Sequence, residues 1–144
     1  MPNQSYTLQP PVFIDQQSDF DRLADQLKSE PLLAVDTEAN SLYAYQEQVC
    51  LIQISTPDAD YIIDPLSIQD LTPLGKLFFD PAVEKVFHAS EYDLLILYED
   101  FQFEFQNLFD TMIAAQILGR EKLGLDALLE EFMGLKVDKK FQRS

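Results

Sequence analysis

The run LLAVDTEA at residues 32–39 constrains the fold more than any other part of the chain. Read as a strand, it carries Leu32, Ala34, Asp36 and Glu38 on one face and Leu33, Val35, Thr37 and Ala39 on the other, because successive side chains alternate. Both faces begin apolar, the pattern of a central strand covered on two sides. Such a strand needs sheet neighbours and packed helices. Gln48–Ser55 (QVCLIQIS) and Ala59–Ile63 (ADYII) read as further strands, and the short polar connection with Pro57 and Asp58 favours antiparallel pairing. A helical pattern at Leu71, Leu74, Leu77 and Phe78 leads to a fourth strand, Lys85–His88, and this strand–helix–strand order implies a parallel pairing.

Around that centre, Val12–Asp15 reads as a short edge strand. Phe20, Leu23, Ala24 and Leu27 fall at helical spacing before Pro31, and further helices are expected at Glu91–Asp100, Asp110–Leu118 and Leu125–Phe132. Ser18 with Asp21, and Ser90 with Asp93, have capping-box spacing. Gly119 and Gly134 are expected to stop the last two helices, and Asp110 to cap the first of that pair. The alternating FQFEFQNLF at Phe101–Phe109 reads as a strand or an extended connection, with Phe101, Phe103 and Phe105 packing a core rather than stacking on bases. The expected fold class is α/β: an antiparallel meander plus a parallel strand in one mixed sheet, flanked by helices. Residues 1–10 are expected to be a flexible leader and 11–144 a single domain.

Ten Lys and Arg against 25 Asp and Glu leave a formal charge of −15, a poor field for holding a polyanion. Any nucleic-acid function must neutralise that charge locally. One cysteine, Cys50, and one histidine, His88, exclude an internal disulfide and a Cys/His zinc site. Four scattered glycines form neither a P-loop nor a GxGxxG turn. No stretch of about 18 apolar residues and no signal-like N-terminus is present, so a cytoplasmic protein with no membrane partner is expected. Lys136, Lys139, Lys140 and Arg143 form the one basic cluster, read as a solvated tail or the edge of an RNA path.

Asp36 and Glu38 are expected to continue a buried face. Carboxylates at i and i+2 lie roughly 6.5–7 Å apart along a strand, and ionising both at a core edge costs several kcal/mol unless cations compensate. A divalent metal is one such compensation; a strand that emerges into water at Asp36 is the other explanation. Asp93 is a third acid, at the junction of the fourth strand and the next helix, where capping is its competing job.

The segments VDTEANSL (Val35–Leu42) and FHASEYDLLIL (Phe87–Leu97) resemble the first two motifs of the DEDD superfamily of 3′-5′ exonucleases, most closely its ribonuclease D-like branch. CLIQIS, YIIDPL, LFDTMIAAQILG and GLDALLEEFMGLKVDKKFQRS support the likeness, which covers about residues 31–144. The resemblance implies a ribonuclease H-like fold and a two-metal exoribonuclease that hydrolyses the 3′ ends of RNA, tRNA and other structured RNA included, to nucleoside monophosphates, with DNA left open as a substrate. It matches Asp36, Glu38 and Asp93 to three of four acids that hold two Mg²⁺ or Mn²⁺ ions. It also places Thr37, Asn40, Leu42 and His88 beside the substrate. In that branch a third motif, Tyr-x-x-x-Asp, supplies the fourth acid, and no tyrosine here is followed by Asp four residues later. The domain is therefore expected to be C-terminally incomplete and impaired, with an apolar sheet face left open for association. A non-catalytic nucleic-acid-binding or protein-interaction module with a degenerate exonuclease fold is the alternative.

Overall fold

A computed structural model describes residues 9–40 and 47–136. Leu42, Lys139, Lys140 and Arg143 lie outside them. Six strands and five helices are present among the described residues, in the order β1 (Val12–Ile14), α1 (Gln17–Leu27), β2 (Leu32–Asn40), β3 (Gln48–Ser55), β4 (Asp60–Ile63), α2 (Thr72–Phe79), β5 (Glu84–Phe87), α3 (Ser90–Phe101), β6 (Leu108–Asp110), α4 (Thr111–Ile117) and α5 (Leu125–Met133).

They form one mixed sheet ordered β1-β4-β3-β2-β5-β6. The expected meander is there: β2 pairs antiparallel with β3, and β3 with β4. The expected parallel strand is β5, which pairs with the first residues of β2. Two edges complete the sheet, β1 parallel to β4 and β6 parallel to β5. Only the last residues of the alternating phenylalanine segment join the sheet, as β6. Phe101 ends α3, and the stretch between is a connection whose rings pack as the core reading required: Phe105 stacks on Phe78 at 4.6 Å, and Phe103 meets the edge of the same ring at 5.5 Å.

The core lies on one side of the sheet. Phe20, Leu23 and Leu27 of α1, Leu74, Leu77 and Phe78 of α2, and Ile96 and Leu97 of α3 close over Leu33, Val35, Ile52, Ile54 and Ile63. These three helices take the odd face of β2. The even face, Leu32, Ala34, Asp36 and Glu38, is exposed along its length, so the two acids do not continue a buried face. The reason is the distribution of helices: on that side, among the described residues, Thr111 and Leu125 at the starts of α4 and α5 line a concavity with Ala34 and Asp36 without covering them. The apolar Leu32 of β2, Phe109 of β6 and Ile117 of α4 are exposed among the described residues.

Neither capping box forms. Gln16 caps α1 without a side-chain bond, and Ala89 occupies the cap position of α3. Both helices instead find tertiary partners: Gln17 exchanges bonds with the backbone of Asp70, and Ser90 donates to Asp110. Gly119 and Gly134 do end their helices in left-handed conformations, as glycine permits. One buried cation had no signature in the sequence. Lys85 is fully buried, and its Nζ donates to the carbonyls of Leu77, Asp80 and Val83 at 3.3, 2.8 and 2.5 Å. It thereby satisfies the carbonyl end of α2, while burial lowers its pKa.

Candidate active site

Asp36 and Glu38 stand on the exposed face of β2, opposite Gln53 and Leu51 of β3. A bulge interrupts the register between Glu38 and Ala39, where Cys50 is the extra residue, and its Sγ lies 3.4 Å from the Glu38 carbonyl. Beyond the bulge Asn40 pairs with Gln48 at the exposed end of β2.

Asp93 enters from the first turn of α3 and is only 8% exposed. Thr37, buried on the core side of β2, donates its hydroxyl to Asp93 Oδ1. The sequence placed Thr37 beside a substrate, and in the fold its hydroxyl is bonded to this acid. Burial pushes the Asp93 carboxyl up to about 6, and the charges of Asp36, Glu38 and Asp110 push the same way, against the Thr37 bond. The three acids singled out in the sequence therefore feel one another electrostatically at one end of the sheet. Among the described residues no group of three or more His, Cys, Asp or Glu is arranged to hold a metal ion as it stands. The donor chemistry nonetheless fits a hard divalent cation: two exposed carboxylates and a third whose ionised form wants a nearby positive charge.

Asp110 performs the capping expected of it at α4, accepting from the amides of Met112 at 2.9 Å and Ile113 at 3.4 Å. It also accepts from Ala89 and Ser90 at the start of α3. These bonds hold its carboxyl down near 2 despite partial burial.

His88, half-buried, places Nδ1 2.8 Å from the Thr111 hydroxyl, and that hydroxyl bonds the Phe87 carbonyl at 3.1 Å. The hydroxyl has one proton, and giving it to the carbonyl leaves Thr111 Oγ1 to accept from Nδ1–H. His88 lines a concavity of about 390 Å³ with Asp36, Gln53, Ser55, Val86, Thr111 and Leu125. Asp36 and His88 thus share one cleft on the open face. The partnership of Thr111 and the second set of Asp110 bonds were not read from the sequence; the segment LFDT, matched only as a supporting stretch, was their one trace.

A family model for 3′-5′ exonuclease matches residues 11–144. Exosome complex exonuclease RRP6 of Saccharomyces cerevisiae is 34% identical over 143 residues, 99% of this chain but 20% of that protein. The chain therefore spans about a fifth of the length of that relative. Escherichia coli RNase D, solved as an exoribonuclease involved in structured RNA processing, superposes with a TM-score of 0.88 at 31% identity, over 94% of this chain and 36% of that one. Brucella melitensis NrnC, solved with bound Mg²⁺, gives 0.68 at 26% identity over 77% of this chain and 57% of that one. With the family match running through both acid-bearing segments, the chain belongs to the 3′-5′ exonuclease family.

Proposed function

We propose that the protein carrying this chain is a metal-dependent 3′-5′ exoribonuclease that releases nucleoside monophosphates from the 3′ ends of tRNA and other structured RNA. The observation that carries this reading is the family match over residues 11–144, which runs through both acid-bearing segments, with Asp93 buried and bonded to Thr37 of the strand that bears Asp36 and Glu38. Three acids that act on one another across one strand, beside an open cleft, suit a cation, which a binding module has no need of.

Asp36, Glu38 and Asp93 are the residues that would hold two Mg²⁺ or Mn²⁺ ions. When bound, such ions activate water and stabilise charge on a phosphodiester. They also supply the local positive charge that a chain of net charge −15 otherwise lacks at an RNA end. The chain's own groups do the rest. Thr37 orients Asp93, His88 offers ring Nε2 to a sugar hydroxyl in the cleft, and Asn40 and Leu42 meet the terminal nucleotide. Residues 11–144 belong to the nuclease domain and 1–10 precede it as a leader. Free Cys50 suits a reducing cytoplasm, and no helix among the described residues is long and apolar enough to cross a membrane. The open sheet face is where copies would associate.

The test is shortening of a 5′-labelled RNA with a single-stranded 3′ tail, in a chain that also carries a Tyr-x-x-x-Asp segment. Stepwise loss from the 3′ end with Mg²⁺ or Mn²⁺, abolished by chelator and by Asp36→Asn, is expected. Full activity of Asp36→Asn overturns the assignment, and faster loss from the matching DNA overturns the choice of RNA.

A further inference from the structure

Asp110 makes more bonds than capping a helix requires. Its carboxylate accepts from five donors: the amides of Met112 and Ile113 in α4, and the Ala89 amide at 3.0 Å, the Ser90 amide at 2.7 Å and the Ser90 hydroxyl at 2.8 Å in α3. Ordinary capping accounts for the first two. The other three come from a segment some 20 residues upstream, and they fill a gap, because α3 has no capping side chain of its own and its first amides have no partner within the helix.

The backbone at that junction is unusual. Ala89 has φ 57° and ψ 60°, a left-handed conformation that a Cβ disfavours. With His88 it makes the two-residue link from β5 to α3, so its torsions help set the direction in which α3 leaves the sheet. Asp110 stands directly opposite Phe87 in the β5–β6 pair, and the His88–Thr111–Phe87 bonds tie the other side of the same turn. Asp93 follows in the first turn of α3, against Thr37.

We infer that Asp110 is a positioning residue: by clamping the starts of α3 and α4 together it fixes the left-handed Ala89 turn and thereby holds the Asp93 carboxylate over Thr37. It acts through Asp93 and is not itself a metal ligand. The inference deepens the proposed function and rests on it only where metal is read out.

A metal-free double-mutant cycle on the 144-residue chain separates positioning from general support. Thr37→Val should lower the unfolding midpoint in the wild-type background and hardly at all in Asp110→Asn, because the clamp that brings Asp93 to Thr37 has gone. The effects on the unfolding constant should fall short of additive by about tenfold. Additivity within about twofold overturns the inference. If Asp110→Asn does not fold, Ser90→Ala removes one clamp bond and carries the same cycle. Ala89→Gly should partly restore Asp110→Asn, since glycine holds a positive φ without help; no restoration counts against the clamp. Finally, Mn²⁺ titration followed by water-proton relaxation should show about a tenfold rise in half-saturation for Asp110→Asn, a loss of about 1.4 kcal/mol. Phe103→Leu, a destabilising core change remote from the acids, should leave it unaltered, and an equal rise in both variants overturns positioning. Failure of the wild type to take up Mn²⁺ sinks the metal reading and leaves the cycle to decide Asp110.

Discussion

Replacing Asp93 with Asn should stabilise the metal-free chain. Asn keeps the shape and the acceptor for the Thr37 hydroxyl, and it removes a charge that sits buried among Asp36, Glu38 and Asp110. The carboxyl rises from an ordinary 3.8 to about 6 on folding. Below about pH 4 it is protonated in both states and costs nothing. Between about 4 and 6 the unfolded chain releases the proton while the folded chain keeps it, so stability falls with rising pH and the penalty levels off above 6. That rise corresponds to roughly 2–3 kcal/mol at neutral pH, or about 6–8 °C in midpoint for a domain of this size. The assay is urea unfolding of wild type and Asp93→Asn in chelator at about pH 4 and pH 7.5. The variant should match the wild type in acid and exceed it by the stated amount at neutral pH. A variant that is equally or less stable at pH 7.5, or a difference independent of pH, refutes the electrostatic account of this site. Removal of a carboxylate that serves mainly as a helix cap would destabilise instead.

Millimolar Mn²⁺ should raise the thermal midpoint at neutral pH and lose that effect as pH falls through about 6, because Asp93 must give up its proton to bind; stabilisation that persists unchanged at about pH 5 contradicts this. Gly75→Ala should cost about 1 kcal/mol by urea titration despite the better helix propensity of Ala. A Cβ there would lie 3.0 Å from two Phe103 ring carbons, and that ring is held by Phe78 and Phe101; a more stable variant would show that the ring yields freely. The open sheet face should bind a hydrophobic dye, and Phe109→Ser with Ile117→Glu, the latter position 81% exposed, should cut the signal without loss of helical circular dichroism. Unchanged dye binding would place the adhesive surface elsewhere.

The separation of acids between two sides of one strand bears on how the site works. Asp36 and Glu38 project to the open face, whereas Asp93 reaches β2 from the core side through Thr37. The bulge beside Glu38 marks a departure from regular pairing next to these acids.

Local pattern determined much of this protein. The alternation in LLAVDTEA, QVCLIQIS and ADYII, the short connections between the last two, and the helical spacing before Lys85 suffice to specify a meander with a parallel strand beside it, because side-chain period and connection length are properties of neighbouring residues. Asp36 and Glu38 were legible for the same reason, as charges breaking an apolar run, whereas Asp93 was marked by the likeness of its segment to a family motif. Only the tertiary structure decided which face of β2 is covered, since both faces start apolar and the choice belongs to where α1, α2 and α3 pack. It alone turned Thr37 into the partner of Asp93, Asp110 into a clamp on two helices, and Lys85 into a buried ammonium among carbonyls. Each of those is a contact between residues far apart in the chain, whose worth depends on burial and on what else lies within a few ångströms, and neither quantity is written in a local pattern.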